Sequence, residues 1–221
     1  MNGRISSSIM CADLAHLEQT LRLHEEAGIE AIHVDIMDGN FVPNYTFGPD
    51  FCRVLRSLTQ IPLDIHLMVQ NPERYPDLWE LRKGDRVCVH QESTPHLQKA
   101  LSLFNARGAE AGVALNPATG LHTIGEVLDD IRAVLVMTVN PGYAGQTLIP
   151  NTLEKIRRTR ELLDSRGHRQ VQIEVDGNVS FENAAVMRRM GADIFVAGSS
   201  SIFAKGLDFA QAVARLRESI E

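Results

Sequence analysis

The sequence predicts a single α/β domain built as a closed (β/α)8 barrel, and three observations carry that prediction. Eight short apolar runs recur along the 221 residues, most of them rich in Val and Ile, as strands covered on both faces are. Longer amphipathic segments separate the runs. No Pro/Gly/Ser-rich linker breaks the rhythm, so one domain is expected over residues 1–221. A doubly wound open sheet shows the same alternation. Eight units match barrel closure, however, and no GxGxxG follows the first run.

In chain order the predicted strands are RISSSIM (4–10), AIHVDIM (31–37), PLDIHLMV (62–69), RVCVH (86–90), EAGVAL (110–115), AVLVMTV (133–139), VQIEVDG (171–177) and DIFVAGS (193–199). A helix is expected after each. In DLAHLEQTLRLHEEAG, Leu14, Leu17 and Leu21 share a face and Gly28 provides the stop. In NTLEKIRRTRELLDSRG, Leu153, Ile156 and Leu163 do the same before Gly167. SFENAAVMRRMGAD offers Ser180 as an N-cap and Glu182 in the first turn, where its charge suits the helix dipole.

Composition excludes several functions. A net charge of −6 without a Lys/Arg block argues against a nucleic-acid surface. The densest basic stretch, KIRRTRELLDSRGHR, has helical spacing and reads as a solvated face. Cys11, Cys52 and Cys88 fit neither CxxC nor a disulfide framework, and no secretory leader is evident, which together indicate a reducing, cytoplasmic setting. No apolar run approaches the roughly 20 residues that span a bilayer, so no membrane partner is expected.

Polar residues collect at the C-terminal ends of the predicted strands, where barrels build active sites. Alternation puts His33, Asp35 and Met37 on one face of the second strand and Ile32, Val34 and Ile36 on the other. Ser6 and Ser8 share a face of the first. His66 and Met68 share a face of the third, with Asp64 read as lying on the opposite one. His90, followed by Glu92, ends the fourth, and a bond from His90 to a loop carbonyl would explain it. Singly, each such group is a polar strand end satisfied by its neighbours. Together, His33, Asp35, His66 and Asp176 are four metal-ligand types on three strand ends, a set suited to one Zn²⁺, Fe²⁺, Mn²⁺ or Co²⁺ ion. PGYAG (141–145), DGN (176–178) and GSS (198–200) follow the last three strands. Small residues let backbone N–H groups approach an anion, and barrel phosphate sites use such loops. Ordinary turn chemistry is the plain alternative. His16, His24, His96, His122 and His168 read as surface residues. Trp79 and Tyr75 read as packing residues.

SSSIMCADL, HVDIMDGNFVPNYTFGP, DIHLMV, VMTVNPGYAGQ, EVDGNV and VAGSSSIF resemble the ribulose-phosphate 3-epimerase family, with the match running from about Ile5 to Phe203. That resemblance implies a TIM barrel of the phosphate-binding type. It also implies inversion at C3 of D-ribulose 5-phosphate to give D-xylulose 5-phosphate. By the same resemblance, His33, Asp35, His66 and Asp176 match the divalent-metal ligands, one ion per subunit, and Asp35 and Asp176 match the acid/base pair. Ser8 and His66 match substrate contacts, and Met37, Met68 and Met137 match methionines lining the reacting carbon. Gly142, Tyr143, Ala144, Gly145, Gly177, Asn178, Gly198 and Ser199 match the phosphate turns. A homo-oligomer is implied as well.

Three positions depart from the family's commonest pattern. Asn140 stands where an acid usually precedes Pro141, Asn178 replaces a glycine and puts a side chain into the phosphate turn, and Ser7 replaces a proline. The turn at Asn178 leaves D-allulose 6-phosphate as an alternative substrate. A related decarboxylase or aldolase would place a lysine where Met37 stands. A non-catalytic sugar-phosphate sensor has no need of both carboxylates.

Overall fold

The computed structural model describes residues 2–221, and its strands close into one parallel barrel with consecutive neighbours hydrogen-bonded and the first pairing the last. The strands are β1 (Arg4–Ser8), β2 (Ala31–Met37), β3 (Leu63–Met68), β4 (Arg86–His90), β5 (Glu110–Leu115), β6 (Ala133–Met137), β7 (Gln172–Asp176) and β8 (Ile194–Ala197). Helices α1 (Leu17–Glu26), α2 (Pro49–Leu58), α3 (Leu97–Asn105), α4 (Asn151–Ser165), α5 (Phe181–Arg189) and α6 (Phe209–Ser219) cover the outside. The expected helices after β3 and β5 are replaced by short 3₁₀ turns, at Pro72–Arg74 and Pro76–Trp79 and at Leu121–Ile124 and Leu128–Asp130. Pro72 and Pro76 lie four apart, and each removes a donor and crowds the preceding turn, so an α-helix cannot run through them. Ser180 caps α5 as expected, its Oγ accepting from Asn183 N.

Two different interiors result from the alternation. Outward-facing strand residues such as Ile32, Val34, Ile65, Leu67, Val134 and Val136 form a continuous apolar layer against the helices. Each such fully buried side chain stabilises the fold by about 1.5–3 kcal/mol. The barrel's own interior combines a small apolar cluster of Cys88, Ala114, Leu135 and Met137 with buried polar groups. Asp64 lies inside it, on the same face as His66 rather than the opposite one, because residues two apart on a strand point the same way. Ser6 Oγ donates to Asp64 Oδ2 at 2.7 Å, and Arg86 reaches Asp64 and Glu174 at 3.8 and 3.6 Å. Burial raises the pKa of Glu174 well above the carboxylate range, reinforced by neighbouring Asp64. Cationic Arg86 and the raised proton affinity of Glu174 both relieve the buried charge of Asp64.

His24 is a second correction, since it is fully buried between α1 and the barrel. Its Nδ1 lies 2.6 Å from Thr20 O and therefore carries the hydrogen; its Nε2 then accepts from Ser7 Oγ at 2.7 Å. Ser7 in place of the usual proline is explained by this bond, which a proline side chain cannot make. His16, His96 and His122 are exposed and His168 partly so. Trp79 packs inside at 5 % exposure, whereas Tyr75 is 55 % exposed.

Burial lowers the pKa of His24 below its usual value. An unfolded chain therefore takes up a proton below about pH 6.5 that the folded one refuses, so this contribution is complete above that pH and lost as pH falls toward the folded value. Melting temperatures at pH 7.5 and 5.5 should differ less in the double variant Ser7→Ala/His24→Leu than in the parent protein. An unchanged difference would show that His24 does not report on acid sensitivity.

Candidate metal and active site

The four predicted ligands meet at the C-terminal mouth of the barrel. One donor atom from each of His33, Asp35, His66 and Asp176 lies within 4.8 Å of the others. The strand register accounts for this, since Asp35 pairs with His66 across β2 and β3. Asp35 Oδ1 is 3.4 Å from both His33 Nε2 and His66 Nδ1, and Asp176 Oδ2 is 3.6 Å from His66 Nδ1. An ion about 2.0–2.1 Å from four tetrahedral ligands separates neighbouring ligand atoms by about 3.3–3.4 Å. His33 Nε2 and His66 Nδ1 are buried without a hydrogen-bond partner among the described residues. Two orphaned nitrogens and two carboxylates at that spacing fit a divalent cation, and the donor chemistry suits Zn²⁺, Fe²⁺, Mn²⁺ or Co²⁺ alike.

Electrostatics separate the two carboxylates. Asp35 is buried, which by itself would favour its neutral form, but His33 and then His66 outweigh burial and hold its pKa well below the carboxylate range. Its Oδ2 accepts from Ser8 Oγ at 3.0 Å. Asp176 is pushed up to about 7, by burial first and by the Asp35 charge second. For His33 burial works against the charged form, yet the Asp35 and Asp64 carboxylates raise its pKa well above 6.5. The two carboxylates therefore differ widely in proton affinity.

Above this floor opens a single cavity, and the side chain of Asp176 is 19 % exposed into it. His33 and His66 form the floor beneath, fully buried, and His66 meets the cavity only through its neighbours. Ser8, Met37, Met68 and Met137 line the walls beside the acids. Met37 and Met68 also pack on Val42 in a small apolar cluster. At the far side lie Gly142, Tyr143, Ala144 and Gly145 from the β6 loop, Gly177 and Asn178 from the β7 loop, and Gly198 and Ser199 after β8. Gly177 is required by its setting: φ is +116°, and a Cβ there would come within 2.6 Å of Val139 Cγ2.

Asn178 adopts φ 48°, a left-handed conformation that Asn tolerates. Its amide donates to Gln146 O at 2.7 Å, and Asn183 Nδ2 donates back to Asn178 Oδ1 at 2.7 Å. The side chain expected to intrude on the phosphate turn is instead spent on tying the β7 loop to the β6 loop. Gln146 in turn donates to Asn140 O and Tyr143 O. Asp38, close behind Asp35 in sequence, takes no part in the cluster: it accepts from Asn40, Phe41 and Gln70 backbone N–H groups and shapes the β2 loop. Met10, Cys11 and Gln146 line the cavity without having been anticipated. Met10 and Cys11 lie in the 3₁₀ turn after β1, where no periodic pattern marks a facing side chain.

Known proteins place this arrangement. The family model described as Ribulose-phosphate 3 epimerase family matches residues 4–203. The chain is 42% identical over 197 residues to "Ribulose-phosphate 3-epimerase" of Bacillus subtilis, covering 89% of this chain and 91% of that one. It is 43% identical over 219 residues to "Ribulose-5-phosphate-3-epimerase, chloroplastic" of Arabidopsis thaliana, covering 97% and 76%. Among solved structures, 3-keto-L-gulonate-6-phosphate decarboxylase from Vibrio cholerae superposes with a TM-score of 0.69 at 12% identity, covering 100% of this chain and 98% of that one, a likeness of fold alone. On the extent of the family match and the identity to these relatives, the chain belongs to the ribulose-phosphate 3-epimerase family.

Proposed function

We propose that the protein is a divalent-metal-dependent ketose-phosphate 3-epimerase that interconverts D-ribulose 5-phosphate and D-xylulose 5-phosphate, with Asp35 and Asp176 as the opposed acid and base. The observation that carries this reading is the convergence of Asp35 and Asp176 with two unpartnered histidine nitrogens at the floor of one cavity. Inversion at C3 removes a proton beside a ketone and returns one from the other face. Ionised Asp35 can accept the first while protonated Asp176 delivers the second, and the reverse reaction exchanges their roles. A divalent ion held by His33, Asp35, His66 and Asp176 supplies Lewis-acid stabilisation of the negative charge that develops on the substrate oxygens.

The other residues orient and shield. Ser8, donating to Asp35 Oδ2, fixes the plane of that carboxylate. Met37, Met68 and Met137 keep water from the planar sugar intermediate without adding charge. The turns at Gly142–Gly145, Gly177–Asn178 and Gly198–Ser199 present small residues to the phosphate end of the substrate. The epimerase relatives named above do not favour the six-carbon alternative or a sensor role. Free Cys11, Cys52 and Cys88 agree with a reducing, cytoplasmic location. No helix among the described residues is long and apolar enough to cross a membrane. A net charge of −6 agrees with the absence of a nucleic-acid partner. The homo-oligomer implied by the resemblance completes the proposal.

The test is turnover of D-ribulose 5-phosphate in D₂O. Formation of D-xylulose 5-phosphate with deuterium at C3 and no release of carbon dioxide is expected. Absence of both conversion and exchange in metal-loaded protein would reject the reading.

A further inference from the structure

We propose that Glu92 and His90 are positioning residues that set the tautomer of His66 and so hold its Nδ1 bare toward the cation site. This deepens the reading of the four-ligand cluster as a cation centre and rests on it.

The chain of bonds leaves little freedom. His66 Nε2 and His90 Nε2 are 2.8 Å apart, in rings that meet edge to edge at an interplanar angle of 24° with centroids 5.0 Å apart. A contact of that length between two nitrogens holds one hydrogen, so one ring donates and the other accepts. His90 Nδ1 lies 3.2 Å from Glu92 Oε2, and an ionised carboxylate only accepts. His90 therefore donates from Nδ1, and as a neutral ring it must accept at Nε2. The hydrogen in the shared contact then belongs to His66 Nε2. A neutral His66 with Nε2–H has an unprotonated Nδ1, and that atom is the one found buried without a partner and 3.4 and 3.6 Å from Asp35 and Asp176.

Glu92 is itself held in place. Its Oε1 accepts from Asn116 N at 2.8 Å and from Thr119 Oγ1. Beside it, Lys155 is anchored by donating to Asn116 O at 2.6 Å. His90 is fully buried and Phe41 packs on it with ring centroids 4.7 Å apart, so it cannot turn away to find another acceptor. His33 is oriented through its other nitrogen, with Nδ1 on Asp64 Oδ2 at 3.2 Å and Nε2 left without a partner. Both imidazoles are thereby oriented, through opposite nitrogens, with one nitrogen each turned to the cluster. Partners of this kind typically change metal affinity by about 10–100-fold when removed.

Glu92→Gln is the informative change. Its one amide oxygen cannot serve both Asn116/Thr119 and His90, so the NH₂ group faces His90 Nδ1. That reverses His90 and then His66, placing a hydrogen on Nδ1 where the ion should bind. Two readouts apply to the full-length protein: Zn²⁺ affinity by chelator competition, and ¹⁵N ring shifts that report which His66 nitrogen carries hydrogen. Zn²⁺ binding about 10–100-fold weaker, with His66 shifted to the Nδ1–H form, is expected. His90→Gln, whose amide oxygen can accept from His66, should keep affinity near the parent value, whereas His90→Phe should not. This pair carries the test should Glu92→Gln fail to fold. Unchanged affinity and tautomer in Glu92→Gln, or equal affinities of His90→Gln and His90→Phe, would overturn the relay. His66→Ala separates the two claims: if it binds Zn²⁺ as tightly as the parent, the cation centre itself is wrong, whatever the relay does.

Discussion

Asp35→Asn and Asp176→Asn should each lower kcat by about 10²–10⁴-fold while circular dichroism and melting remain close to the parent's. The amide has the shape of the carboxylate, so Ser8 and the neighbouring histidines keep a partner at position 35, but neither amide can carry the proton. The two variants should also be asymmetric. Each retains one carboxylate, which can still remove and return a proton on its own face. Each variant should therefore exchange C3 hydrogen with D₂O for one epimer and not for the other, with the two variants showing opposite preferences. Deuterium incorporation into ribulose and xylulose 5-phosphate, followed separately by mass spectrometry, measures this. Near-parental turnover in either variant, or the same epimer exchanging in both, contradicts the division of labour between the acids.

Exhaustive chelation should abolish turnover, and one equivalent of Zn²⁺, Mn²⁺ or Co²⁺ per chain should restore it. The physical reason is the weakness of the carbon acid. A hydrogen beside a ketone is far too weakly acidic for an unaided carboxylate to remove it at a useful rate, so charge on the substrate oxygens must be stabilised. Stoichiometric metal analysis alongside the assay makes the comparison decisive. Full activity in a sample shown to hold no metal removes the cation from the scheme and leaves the two orphaned histidine nitrogens without an explanation.

Much of this arrangement was legible from residue order because strand periodicity is strict. AIHVDIM became β2 with unchanged bounds, and its alternation alone put His33, Asp35 and Met37 together. Asp64 was placed on the wrong face although the same alternation assigns it beside His66. The helices after β3 and β5 were inferred from the regular rhythm, and prolines in the first of those connections broke it. His24 was assigned to the surface because nothing in a helical segment announces that Ser7, seventeen residues earlier, waits to bond it.

The order of residues by itself determined the eight parallel strands, the family and the four ligand-type side chains, because apolar periodicity and short motifs are local properties of the chain. Tertiary structure alone decided how those side chains are used. The pairing of Asp35 with His66 across two strands, the contrast in proton affinity between Asp35 and Asp176, the tie from Asn178 to Gln146 and the line from Glu92 through His90 to His66 all join segments far apart in sequence. Hydrogen bonds and buried charges depend on distance and solvent exclusion, and only closing the barrel supplies those.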